Sequence, residues 1–253
     1  MQKSSVFKTI LKLLVFLGLA GYLIYAILDF NRPAQSPECT GLDIIIDDEQ
    51  CTDFINENEI RELLVSKKLF PEGKALDDID LTNLEKVLTA SPYIDEALCY
   101  KTAEGRVAIR LTPRVPVLHV LNNECEDFYI DNRGGTMPRG HHTIDLLVMT
   151  GNVPSGKAGP LYSNMGKRLG SDPYWSQQIQ EIHVNADNDI ELTPVVGDFV
   201  ILLGDTSNLD DKLSRMRTFY TEGLDKAGWN RYKVINLKFN GQVIGVKDDA
   251  KKK

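Results

Sequence analysis

Histidines and cysteines are the side chains of this sequence best suited to chemistry, and neither set is arranged for it. His141 and His142, with Asp145 close behind, have the composition of a metal triad. Adjacent histidines in a strand point to opposite faces, however. The run also follows "GGTMPRG", which reads as a loop, so surface histidines are expected. His119 and His183 alternate with valines or isoleucines and are expected on the solvent-facing sides of strands. The four cysteines, Cys39, Cys51, Cys99 and Cys125, are irregularly spaced and lack histidines at zinc-site intervals. Four cysteines permit three connectivities that sequence cannot separate. Cys39 and Cys51 flank one short strand and could pair as a disulfide; unpaired buried thiols are an equal reading. Asp47-Asp48-Glu49 and Asp77-Asp78 look like solvated turns rather than paired carboxylates for acid–base work. Gly-x-Ser-x-Gly, a phosphate-cradling glycine loop and His-Glu-x-x-His are all missing. The expectation is a protein that is not an enzyme and needs neither metal nor cofactor.

Backbone chemistry is the alternative. Near the C-terminus, Val234 to Phe239 alternate in polarity and Asn240-Gly241 is a strong hairpin signal. A terminal strand after such a turn is expected at a sheet edge, with unpaired N–H and C=O groups along one side. Another chain can add a strand there, backbone bonds giving affinity and alternate side chains giving specificity. Ile235 and Leu237 are expected in the core, whereas Phe239 fits core and surface equally.

The elements that would position this edge can be read along the chain. From Leu13 to Leu28 there is no charge, and Ile10 to Leu28 contains only Lys12. That length approaches the ~20 residues a helix needs to cross a bilayer. Lys3, Lys8 and Lys12 precede the span, so the positive-inside bias leaves the N-terminus in the cytoplasm. An uncleaved anchor is favoured over a signal peptide, because Gly18-Leu19-Ala20 is a poor cleavage site with apolar sequence beyond it. Beyond residue 32 the chain carries 25 basic and 35 acidic residues, a balance that repels phosphate backbones and argues against nucleic acid. Hydrophobic and charged fractions of 42% and 26% are those of globular protein.

After a Pro-containing linker, "LDIIIDD" reads as a strand. Asn56 with Glu59 has capping-box spacing, opening a helix with Ile60, Leu63 and Leu64 on its apolar stripe. A second helix follows Asp80, with Leu81, Leu84, Val87 and Leu88 on one face. Ile94 to Thr102 and Arg106 to Thr112 form a hairpin about Glu104-Gly105, with Val107, Ile109 and Leu111 buried and Arg106, Ala108 and Arg110 wet. Two helices should therefore pack on one face of a small mixed sheet. Past Arg114 the pattern becomes a series of short strands. Residues 154–180 read as a loop with a short helix or two. The clearest helix begins after Asn208 as its cap, buries Leu209, Leu213, Met216, Tyr220 and Leu224, and ends before Gly228.

This order resembles a POTRA domain joined to the β domain of the FtsQ/DivIB cell-division family. The resemblance is carried by the N-terminal span, by "IDLTNLEKVLTASPYIDEALCYKTAEGRVAIRLTPRVPVLHV", by "FYIDNRGGTMP", by "VVGDFVILLGD" with its helix, and by "VINLKFNGQVIG". Asn236 and Lys238 depart from the aspartate and arginine usual near the end. The implied fold class is α+β: a transmembrane helix, a POTRA-like β-α-α-β-β domain, then a mostly antiparallel β domain with a long helix near the C-terminus. The implied boundaries are a cytoplasmic tail 1–9, a membrane helix 10–28, a linker 29–40, a POTRA-like domain 41–113, a β domain 114–247 and a charged tail 248–253. The resemblance implies a scaffold in the bacterial cytoplasmic membrane at the division septum. It would dock FtsB-like and FtsL-like single-span partners and help control septal peptidoglycan synthesis. Contact residues implied in this way are Lys238, Phe239, Asn240, Gln242, Val243 and Ile244. The competing reading is a POTRA-type chaperone or secretion accessory for envelope polypeptides.

Overall fold

The computed structural model describes residues 3–30, 36–47, 54–140, 144–224, 226, 228–229 and 231–247. Cys51, Asp48, Glu49, His141, His142 and the charged tail 248–253 lie outside them. The chain divides into two units, Met1–Asp43 with Pro71–Asp80 and Lys101–Val107, and Ile44–Phe70 with Leu81–Tyr100 and Ala108–Lys253.

The first unit opens with α1 (Lys3–Phe30), whose stretch Lys12–Asp29 is long and apolar enough to span a membrane and is not buried by protein. Beyond it the backbone is stitched locally. Cys39 N–H bonds Lys74 O at 2.8 Å, Gly73 N–H bonds Cys39 O at 3.0 Å, and Thr40 N–H bonds Gly105 O at 2.9 Å. The Cys39 thiol is buried and donates to Gly41 O at 3.3 Å.

In the second unit, α2 (Glu57–Ser66) starts with the expected capping box: Asn56 Oδ1 accepts from Glu59 N–H at 2.9 Å, and the Glu59 carboxylate accepts from Asn56 N–H. Helix α3 (Leu81–Thr89) buries Leu84 and Leu88. Strands β1 (Leu42–Ile46), β2 (Ile94–Lys101) and β3 (Val107–Pro113) form a sheet in the order β1-β3-β2. Gly105 turns the hairpin at φ +75°. Val107, Ile109 and Leu111 are fully buried as their alternation requires, but so is Ala108, because a methyl group on the central strand is covered by its larger neighbours.

The remaining strands build one sheet of nine: β4 (Pro116–Asn122), β5 (Asp127–Asp131), β6 (Thr136–Pro138), β7 (Val148–Gly151), β8 (Ile179–Val184), β9 (Ile190–Pro194), β10 (Val200–Gly204), β11 (Tyr232–Asn236) and β12 (Ile244–Lys247). Their order is β12-β11-β10-β9-β8-β7-β4-β5-β6. Five of its eight pairings are antiparallel. The parallel ones, β4/β7, β7/β8 and β10/β11, are bridged by chain that crosses over between them. Helices cover one face. Leu118, Val120, Ile130, Met149, Ile182, Val184, Leu192, Ile201 and Ile235 pack there against helical side chains. Each large aliphatic side chain so buried stabilises the fold by about 2 kcal/mol.

Two helices differ from the sequence expectation. Residues 155–171 form one long helix, α4 (Ser155–Ser171), despite Pro160 and four glycines. Helix propensity would discourage it, yet two of the glycines, Gly159 and Gly166, are where it seats. A Cβ on Gly159 would strike the Gly134 carbonyl, and one on Gly166 would lie 2.5 Å from the Leu118 side chain. Close packing overrides propensity here. The C-terminal helix is α5 (Leu209–Thr218) continued by a π turn, Phe219–Leu224. All five residues of its expected stripe are buried. Asn208 does not cap it with its side chain; it sits at φ +50° and offers its carbonyl to Lys212 N–H.

A buried ion pair joins two stretches of this unit that are 17 residues apart in sequence. Arg114 Nη2 lies 2.6 Å from Asp131 Oδ2, and Asp131 is only 5% exposed. Arg114 Nη1 also donates to Pro92 O at 2.9 Å. The other Asp131 oxygen accepts from Arg133 and Gly135 N–H, and its backbone carbonyl accepts from Ser163 Oγ on α4. Every lone pair facing the interior is occupied, the condition under which a buried pair is tolerated. The "TPRVP" and "FYIDNRGG" stretches thus meet in one cluster.

Candidate functional site

Two sheets have four edges, and three carry a device that discourages strand pairing. Strand β6 has three residues and ends in Pro138, which lacks an N–H. Strand β1 carries Asp43, paired with Arg106, and is followed by Asp47, paired with Arg110 at 3.7 Å. On β2, the Cys99 N–H is taken by Glu85 Oε1 from α3 at 2.8 Å. Burial, reinforced by Glu85, pushes the Cys99 thiol up to about 12. Strand β12 is also short and ends in Lys247, but among the described residues it lacks the proline, the acidic residues and the captured backbone N–H of the other three. Among the described residues no strand lies outside it.

The six residues singled out from sequence occupy this edge and the turn feeding it. Ile235 and Leu237 are fully buried, which leaves Phe239 outside, 54% exposed. Gly241 closes the turn at φ +69°, with Gln242 N–H donating to Phe239 O at 3.3 Å. Asn240 and Gln242 are exposed. Val243 is half-buried against the core, and Ile244 begins β12. Lys238 points elsewhere: its ammonium pairs with Asp189 Oδ2 at 2.6 Å, in the β8–β9 turn.

Arg215 of α5 escaped the sequence reading, although it holds this region together. Its guanidinium donates to the carbonyls of Phe239 (3.1 Å), Leu237 (3.3 Å) and Gln242, and Asp211 fixes Nε at 2.8 Å. Backbone carbonyls leave no signature in a sequence, so only the fold shows this clamp. Ser214, Arg215, Thr218, Phe219, Gly241 and Val243 line a cavity of about 270 Å³ between helix and turn. Nearby, Lys212 is buried and donates to Asp205 O and Oδ1 at 2.9 and 2.8 Å. That bond, with a second from Ser207, holds the Asp205 carboxyl down at about 2.

Neither described histidine, His119 or His183, belongs to a metal site. His119 is half-buried rather than solvent-facing; it bonds Asp127 at 2.7 Å, and Arg139 bonds the other oxygen at 2.6 Å. His183 Nδ1 meets Thr150 Oγ1 at 2.8 Å. Among the described residues no three His, Cys, Asp or Glu side chains converge to hold an ion. Cys99 and Cys125 are free thiols, while the suggested partner of Cys39, Cys51, is outside the described residues.

No curated protein matches the chain. Residues 37–112 match the family model of a POTRA-like domain, and residues 115–246 match the model described as FtsQ/DivIB, C-terminal related. Both are non-catalytic family types, and together they suggest a division-related scaffold that works through protein–protein interactions. Helix α1 is consistent with a single-pass membrane protein of that kind. The second match alone spans just over half of the sequence, and the chain belongs to the FtsQ/DivIB family.

Proposed function

We propose that this chain is a non-enzymatic scaffold of the bacterial division machinery, anchored by α1 with its N-terminus in the cytoplasm. An FtsB-like single-span partner, itself paired with an FtsL-like chain, adds a strand to β12. Phe239, Asn240, Gln242, Val243 and Ile244 meet it, with Lys238 at the border. Other division proteins dock on the POTRA-like region. The scaffold thereby links early and late division proteins at the septum and helps control septal peptidoglycan synthesis. The observation that carries this reading is that β12, among the described residues, has no proline, acidic residue or captured N–H of the kind on the other edges and exposes Ile244 and Val246. Tethering in one membrane raises the effective concentration of the partner, so a short edge suffices.

Photocrosslinking in cells from a probe at Phe239, with mass spectrometry of what is captured, tests it. A small single-span coiled-coil protein is the expected adduct. Capture of outer-membrane precursors instead would transfer the chain to the chaperone class.

A further inference from the structure

The face of the large sheet opposite the helices is not uniform. Register sets Val246 beside Val234 and Val234 beside Val200; one step along, Ile244 lies beside Asn236 and Asn236 beside Leu202. Residues directly opposite in a ladder share a face, so five aliphatic side chains cluster on β10, β11 and β12. Val246 and Ile244, nearest the edge, are 51% and 40% exposed. Beyond β10 the same face turns polar. Strands β9 and β8 present Glu191, Thr193, Glu181 and His183. Thr150 ties Glu181 at 2.6 Å and His183 at 2.8 Å. The aliphatic cluster therefore grows more exposed toward the open edge and stops there.

The helix side of β12 is different. It presents Gly245, opposite Ile235, and the exposed Lys247, opposite Tyr232, and a Cβ on Gly245 would lie 2.5 Å from the Tyr232 ring. Tyr232 in turn packs on Phe219. The edge strand thus supplies its aliphatic contacts on one face only, through Ile244 and Val246.

We infer that the partner's added strand carries aliphatic, preferably β-branched, residues at alternating positions, which continue the Val246 and Ile244 rows on the face away from the helices. This rests on the strand-addition reading above and specifies the partner segment: two such residues, i and i+2, set its face and its register. Backbone bonds are indifferent to sequence, so these contacts carry the selectivity. A one-residue slip would turn the aliphatic residues to the wrong face.

The test uses the full chain in nanodiscs with a single-span helix that carries a probe strand of about six residues. One probe alternates valine and threonine, and the other is threonine throughout; Förster transfer reads association. The alternating probe is expected to bind roughly tenfold tighter, from two cross-strand pairs. Ile244→Thr with Val246→Thr should erase that preference, and an unfolding midpoint close to that of the native chain shows that the variant is folded. Equal binding of both probes by the native chain, or a preference that survives in the double variant, overturns the inference and leaves strand addition standing. Binding of neither probe overturns strand addition itself.

Discussion

The two ends of the nine-stranded sheet are built in opposite ways. At one end β6 is short, ends in Pro138, and follows a turn locked by the Arg114–Asp131 pair. At the other, β12 follows a turn held by carbonyl contacts from Arg215 and by its own Gln242–Phe239 bond, and its Ile244 and Val246 are exposed. An unpaired strand edge is a hazard that folded proteins normally suppress. Suppression at one end, repeated on both edges of the small sheet, shows that this chain is able to block edges. Strand β12, with Lys247 as its one charge, then stands out as the least guarded edge among the described residues.

Breaking the locked end should have the largest effect. Arg114→Ala leaves a buried carboxylate without its cation and is expected to cost about 3–5 kcal/mol. Denaturant unfolding would measure it, and a loss under about 1 kcal/mol would mean that the pair is ornamental. Arg215→Ala removes a charged donor from three carbonyls, for an expected loss of about 2 kcal/mol. Hydrogen exchange should quicken across residues 237–243 while α2 and α3 keep their protection. If exchange rises evenly through the chain instead, Arg215 is a general core residue and not a clamp. Val246→Pro should weaken partner docking roughly tenfold or more by disrupting the strand's hydrogen-bond ladder. A pull-down from cells with the variant correctly folded reads this, and undiminished capture of the partner would move the docking site away from β12.

Glu85→Ala sharpens the comparison from the other side. It frees the Cys99 N–H on β2, and a modest gain in self-association by analytical ultracentrifugation is expected. The smallest effect concerns acid. The Asp205 carboxyl is depressed from its ordinary value of 3.8 to about 2, so its bond to Lys212 stabilises the fold above pH ~4 and is lost as pH falls toward 2. Asp205→Asn should flatten the stability profile over that window and lower it by a constant amount above. A profile of unaltered slope would show that Lys212 is held by the Asp205 carbonyl alone.

Much of the fold was legible because local signals and tertiary packing agree. The capping box at Asn56 and Glu59, the turns at Gly105 and Gly241, and the burial of Ile235 and Leu237 each follow from spacing. Helix α4 was not legible, since its glycines look like breakers until Gly134 and Leu118 are seen pressing against them. The parallel pairings of β4, β7 and β8 depend on crossovers that leave no periodicity. The candidate edge could be placed from its Asn-Gly turn. That it is the least guarded edge could not, because Glu85 and Cys99 are fourteen residues apart and their bond is between a side chain and a backbone amide.

That bond also gives the molecule a chemical gauge. Only the thiolate of a cysteine is nucleophilic, and with the thiol at about 12 the ionised fraction of Cys99 at neutral pH is roughly one in 10⁵. Alkylating reagents should therefore pass it by for as long as Glu85 keeps β2 closed. In a chain that keeps Cys99 as its one cysteine, with Cys39, Cys51 and Cys125 replaced by serine, the rate at which Cys99 takes up iodoacetamide becomes a clock for the opening of that edge. A single buried sulfur would then report, in living cells, how often the guarded strand lets go.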